Sequence, residues 1–127
     1  EAEWEKAARG TDGRIYPWGD HPPHLTLCNY GYNAGGTQPV DAYPKGASPY
    51  GVMDMAGNAW EWTSSQYRPY PYDADDGREE PTRNASRAIR GVSWLDDMRF
   101  VRCAFRQKLE PYYGYSSHGF RVVFLGP

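Results

Sequence analysis

The stretch Asp54-Met55-Ala56-Gly57-Asn58-Ala59-Trp60-Glu61-Trp62 decides how this chain is read. Two carboxylates bracket a Gly57-Asn58 turn, and an alternating run over 59–63 follows, with Trp60 and Trp62 on one side of an extended segment. If the chain curls at the turn, Asp54, Glu61 and the carbonyls of Gly57 and Ala59 converge as hard oxygen donors. That set suits Ca²⁺ rather than zinc, since it holds neither thiolate nor imidazole. The plainer reading is a turn between two strands, with Asp54 capping it and Glu61 paired to an arginine.

Outward from this stretch, regular structure is sparse. Residues 1–9 (EAEWEKAAR) form the one convincing helix: Trp4, Ala7 and Ala8 share a face, and Gly10 is suited to end it. A helix this short must dock to persist. Residues 11–49 show turn signals instead of periodicity, among them Asp12-Gly13, Pro22-Pro23 and Gly35-Gly36. Residues 64–86 are polar, Tyr/Pro-rich and charged, which predicts a surface excursion. Two later segments, 88–94 and 119–124, read as strands, the second (GFRVVF) suited to a central position.

Composition agrees with an irregular, aromatic-cored domain. The chain has 127 residues, 14 of them Gly and 11 Pro, too many for long helices or strands. Leu, Ile, Val and Phe are scarce and mean hydropathy is −0.83, as in disordered chains. Yet 16% of residues are aromatic and the net charge is only −2. Trp and Tyr bury large areas while keeping a polar tip hydrated, so a compact fold is expected. No apolar run approaches the roughly 20 residues that span a bilayer, and no membrane partner is expected. No basic-then-apolar leader opens the sequence at Glu1-Ala2, and localisation stays open. A pI near 5.9 gives no whole-chain attraction to nucleic acid, and the arginines of 83–108 read as balanced by the acidic run 73–80.

Two cysteines, Cys28 and Cys103, permit one disulfide or two buried free thiols. A third option is a zinc site from His21, His24 and Cys28, although Pro22-Pro23 stiffens the spacing and no fourth ligand is evident. Nucleophile-elbow and phosphate-loop templates find no match.

Several segments together resemble the sulfatase-modifying-factor family, whose founding member is the formylglycine-generating enzyme. They are EAEWEKAARG (1–10), YPWGD (16–20), CNYGYNAGGTQPVDAYP (28–44), SPYGVMDMAGNAWEWTSS (48–65), IRGVSWLDDMRFVRCAFR (89–106) and HGFRVVF (118–124). The resemblance spans nearly the whole chain as a single domain, 1–127, that begins inside the family's domain. It implies an α+β fold with little regular secondary structure, the formylglycine-generating-enzyme fold, which is C-type lectin-like. It also implies calcium on Asp54, Gly57, Ala59 and Glu61, with a second ion on Asn29, the Tyr30 carbonyl and Asn33.

Family chemistry transfers less readily. The generating enzymes use copper and two thiolates placed shortly after their R-G-G-S-Y/W motif. Here Asp96 falls near the first position and Met98 near the second. Neither a carboxylate nor a thioether replaces a Cu(I) bis-thiolate, so copper is not expected. The resemblance therefore implies a non-catalytic binding module. Its contact residues are expected between the R-G-x-S-W and G-F-R motifs: Trp94, Asp96, Asp97, Arg99, Phe100 and Arg102, then Arg106, Tyr112, Tyr113, Tyr115 and His118. The ligand, protein or small molecule, is not specified. The alternatives are an oxidase acting on sulfatase cysteine, a module of an oxygen-dependent sulfoxide synthase, and the variable display protein of a diversity-generating retroelement. An apolar face is expected where a missing amino-terminal part, or a partner chain, would lie.

Overall fold

The computed structural model describes residues 1–82, 84–124 and 126. Helix α1 spans Ala2–Arg9, with Glu3 and Glu5 in its first turn and Lys6 and Arg9 in its last, each sign matched to the helix dipole. Arg9 pairs with Glu5 at 2.9 Å along the same surface. Trp4 and Ala8 are buried against Met55 and Cys103, with Ala7 and Val52 at the margin. The expected docking face is therefore the one used.

Four strands follow: β1 (Trp60–Gln66), β2 (Arg87–Arg90), β3 (Arg106–Leu109) and β4 (His118–Gly119). They form one sheet in the order β3-β2-β1-β4, antiparallel except for the parallel β1–β4 pair. Trp60 and Trp62 lie on one face and pack with Cys28, Ala56, Ile89, Val92, Val101 and Phe105. A tryptophan buries roughly 150–250 Å², so two indoles supply much of a core that is short of aliphatic residues.

Both late strands are shorter than their sequences suggest. The 88–94 segment stops at Arg90, because Gly91 and Val92 take φ of 92° and 68° and turn the chain out of the ladder. Gly91 is also pressed on by the Trp4 ring, where a Cβ would stand 3.2 Å from Cζ2. Of the 119–124 segment only Gly119 is strand, as the end of β4. It lies at the sheet edge, where only Trp60↔His118 and Glu61↔Gly119 pair. Beyond it Phe120, Val122 and Phe124 are exposed, at 76%, 83% and 86%. β-propensity makes a strand only where a ladder partner exists, and none of the described segments supplies one here.

The rest is irregular, as expected. Residues 11–49 contain one 3₁₀ turn, Pro44–Gly46, and one isolated bridge, Tyr16–Gly19. The excursion expected over 64–86 begins only after β1 ends, and it is pinned by Arg78, a buried guanidinium that bonds Asp76 and the Pro69 carbonyl. Three loops are tied together beside the sheet. Gly57 N–H donates to the Gly91 carbonyl at 2.7 Å, Asn58 N–H to the Asn29 carbonyl at 2.8 Å, and Trp94 N–H to the Asn58 carbonyl at 3.1 Å. Gly57 is obligatory at this junction: its φ is 83° and a Cβ would lie 2.4 Å from the Asn29 carbonyl oxygen.

Candidate functional site

The turn before β1 and the segment after β4 enclose a cleft of about 350 Å³. Asp54, Asn58, Ala59, Glu61 and Arg121 line it, with apolar walls from Val40 and Phe120. Glu61 points away from the Trp60 face and is held from two sides. The Trp4 indole N–H donates to its Oε2 at 2.7 Å, and Arg121 Nε donates to the same oxygen at 2.6 Å. Arg121 also donates to Glu61 Oε1 and to the carbonyls of Met53 and Asp54.

Asp54 is more isolated. It is buried at a φ of 54°, its Oδ2 accepts from Asn58 Nδ2 at 3.1 Å, and its Oδ1 has no partner. Burial pushes its carboxyl up to about 6, against the opposing pull of the Asn58 bond and Arg121. A carboxylate whose charge is disfavoured by desolvation and whose free oxygen faces no donor is chemically suited to a hard cation, which would offset that cost. Among the described residues no group of three or more His, Cys, Asp or Glu could hold a metal. An ion here would therefore rely on carbonyl and amide oxygens beside the two carboxylates, and it would share Glu61 with Arg121. The Gly57 carbonyl accepts the Ala59 N–H at 3.0 Å.

The second expected set is less gathered. Asn29 is wholly buried, with Nδ2 spent on Gly36 O and Asn58 Oδ1 and with Oδ1 unpartnered. The Tyr30 carbonyl accepts the Asn33 N–H at 3.2 Å, and Asn33 is exposed.

The two sulfurs are separated. Cys28 lies in the Trp60 core and Cys103 in the Trp4 core, both as free thiols, which removes the disulfide option. Burial pushes each up to about 12, so both are protonated near neutrality. The zinc option also fails. Cys28 is buried while His21 and His24 are exposed, and His24 Nδ1 meets Thr26 at 3.1 Å. At the positions expected for copper thiolates, Asp96 accepts from Trp60 Nε1, Ser93 N and Ser93 Oγ at 3.0, 2.9 and 2.6 Å. Met98 is exposed on the following 3₁₀ turn, Met98–Phe100. These residues do not fit a Cu(I) bis-thiolate site.

The expected ligand contacts divide into inward and outward groups. Asp96 has its Oδ2 turned inward, as described. Asp97 caps the 3₁₀ turn through Arg99 N–H and pairs with the Arg99 guanidinium at 2.8 Å. Arg106 is bonded to both Glu1 carboxylate oxygens at 2.6 Å and lies between the Tyr67 and Tyr70 rings. Trp94 meets Tyr32 edge-on at 5.5 Å. Phe100 packs on Phe105 at 5.0 Å, and Arg102 lies over the same Phe105 ring with its own side chain exposed.

Outward, Tyr112, Tyr113 and Tyr115 form a run of rings with centroids 4.8 and 6.0 Å apart. Tyr115 then meets His118 at 5.1 Å, and His118 touches both Trp60 and Trp62 at 6.4 Å. The three tyrosines are exposed, while burial pulls the His118 imidazole below its ordinary value, with Asp96 opposing. The run thus leads from solvent to the core indoles. Asn58, Arg121 and Trp4 are the site residues that the sequence reading did not single out. The contacts of Arg121 and Trp4 with Glu61 span 60 and 57 residues, so no local pattern carries them.

Comparison with known proteins gives a consistent set of likenesses. The model of the sulfatase-modifying factor enzyme 1-like domain matches residues 1–124. The hercynine oxygenase of Mycolicibacterium smegmatis is 40% identical over 118 residues, covering 84% of this chain and 28% of that protein. The inactive C-alpha-formylglycine-generating enzyme 2 of Bos taurus is 37% identical over 107 residues, covering 76% and 31%. Among solved structures, Treponema denticola variable protein 1 superposes with a TM-score of 0.75 at 29% identity, over 94% of this chain and 44% of that one. The chain thus spans less than a third of the length of these two curated relatives. The likenesses bear out the fold expected from the sequence.

Proposed function

The chain belongs to the sulfatase-modifying factor enzyme 1-like family, and on that premise we propose that it is a calcium-binding, non-catalytic module that offers an aromatic surface to a ligand. The observation that carries this reading is the fate of the two positions expected to bear thiolates. There the Oδ2 of Asp96 accepts three hydrogen bonds, and both cysteines of the chain are buried elsewhere in separate cores. Cysteine oxidation through Cu(I) needs paired sulfur ligands open to substrate. The oxygen-donor cleft at Asp54 and Glu61 supports the calcium component. The exposed tyrosine run supports ligand contact, since Tyr gives broad area at low entropic cost. Likeness to an inactive C-alpha-formylglycine-generating enzyme 2 is in keeping with the non-catalytic component.

The test is direct. Incubated with Cu(I), oxygen and a Cys-x-Pro-x-Arg peptide, the chain is expected to leave the cysteine unchanged. Conversion of that cysteine to formylglycine would overturn the reading.

A second reading is favoured by the 40% identity to a hercynine oxygenase. In it the chain is one module of a larger oxygenase, whose reacting centre uses residues of its other parts. Binding of hercynine by this chain, abolished when Tyr113 or Tyr115 is replaced by Ala, would favour this second reading over the first.

A further inference from the structure

We infer that Asn58 is the positioning residue that orients the free oxygens of both candidate cation sites and so couples them. Each of its side-chain polar atoms is committed. Nδ2 donates to Asp54 Oδ2 at 3.1 Å and to the Gln38 carbonyl at 3.0 Å. Oδ1 accepts from Asn29 Nδ2 at 3.2 Å and from Gln38 N–H at 2.8 Å. One carboxamide therefore touches Asp54 with its amino end and Asn29 with its oxygen end.

The consequence lies in what remains. Because Asn58 takes Oδ2 of Asp54, the other oxygen, Oδ1, is left bare; because it takes Nδ2 of Asn29, the bare atom there is also Oδ1. Asp54 and Asn29 are both more than nine-tenths buried, at 8% and 0% exposure. Buried oxygens without donors are uncommon in folded proteins and call for an occupant. A lone pair facing no donor is what a hard cation requires. Groups that fix the orientation of metal ligands through hydrogen bonds influence affinity without touching the ion.

Backbone geometry reinforces the role. Asn58 has a φ of 70°, a conformation that Asn tolerates better than most residues and that Gly adopts freely. Its N–H donates to the Asn29 carbonyl, and its carbonyl accepts from Trp94. The turn thus holds its place by main-chain bonds, leaving the side chain to orient its two neighbours. Asp54 and Asn29 are not bonded to each other directly, so a change at one reaches the other through this amide.

The inference rests on the calcium reading, and its test separates the two. Chelator-stripped protein is titrated with CaCl2 by calorimetry, as wild type and as Asn58→Gly, which removes the carboxamide and keeps the backbone relaxed. The expected result is that wild type binds at two sites and that Asn58→Gly weakens both by roughly 10–100-fold. Affinity is the readout because a merely structural Asn58 would lower melting in chelator and leave the calcium constants of the folded protein unchanged. Unchanged affinity at either site overturns the role of Asn58 alone, whereas no calcium binding by wild type overturns the calcium reading itself. Should Asn58→Gly not fold, a double-mutant cycle of Asn29→Ala and Asp54→Asn reads the same coupling. Non-additive effects on calcium affinity support it, and additive effects overturn it.

Discussion

Replacing Arg90 with Ala is expected to destabilise the domain by about 3–5 kcal/mol, the range found when one partner of a buried ion pair is removed. Arg90 has no exposed surface, yet it joins the helix to the sheet and the late loop. Its guanidinium donates to Glu5 at 2.6 Å and to the carbonyls of Cys103 and Ala104 at 3.0 and 3.2 Å, and it lies 5.2 Å from the Trp4 ring centroid. Truncation leaves two carbonyls without donors and a cavity beneath the indole. Since whole domains are stable by only about 5–15 kcal/mol, the loss is large. Arg90→Met should recover part of it, because the methionine refills the volume while Glu5 keeps Arg9 as a partner. Urea denaturation of the three proteins measures this. A cost below about 1 kcal/mol, within the range of exposed pairs, would mean that helix α1 is not anchored through Arg90.

Glu61→Ala is expected to cost about 2–4 kcal/mol in the presence of chelator, from two losses of different kinds. The Trp4 indole N–H would be left buried without an acceptor, at about 1–3 kcal/mol. Arg121 would lose its only carboxylate contact among the described residues, a smaller effect because its side chain is 31% exposed and can hydrate. Glu61→Gln keeps an acceptor for Trp4 and should cost less. Both variants are expected to lose the part of calcium's stabilisation that comes from the Asp54–Glu61 cleft, which thermal melts with and without CaCl2, compared with wild type, would report. A Glu61→Ala protein whose melting rises with calcium by as much as that of wild type would mean that Glu61 holds no ion.

What the sequence made legible was local. The helix at 1–9, the alternating AWEWT run and the irregular 11–49 region all follow from spacing and turn chemistry within a few residues. The missing features are the non-local ones. Strand β3, Arg106–Leu109, carries no apolar alternation; it is an edge strand built from RQKL, the charged kind of edge that resists pairing with other chains. The 119–124 run has the composition of a central strand and yet lies beyond the sheet edge, because β-branched and aromatic content says nothing about whether a neighbour is present. Val92 at positive φ could not be foreseen either, since β-branched residues avoid that conformation. For the site, the spacing of Asp54 and Glu61 about a turn agrees with the single cleft that both line, Glu61 from strand β1. That Arg121 returns from the far end of the chain to pair with Glu61 is a tertiary fact. So is the unpartnered Oδ1 of Asp54, which depends on which oxygen Asn58 takes.

The account turns on the chemistry of its donors: oxygen at the Asp54–Glu61 cleft, and no accessible pair of sulfurs anywhere among the described residues. Elemental analysis after equilibration with both calcium and Cu(I), followed by removal of unbound ions, addresses it most directly. The account predicts retained calcium and no copper. Stoichiometric copper, with calcium absent, would contradict it.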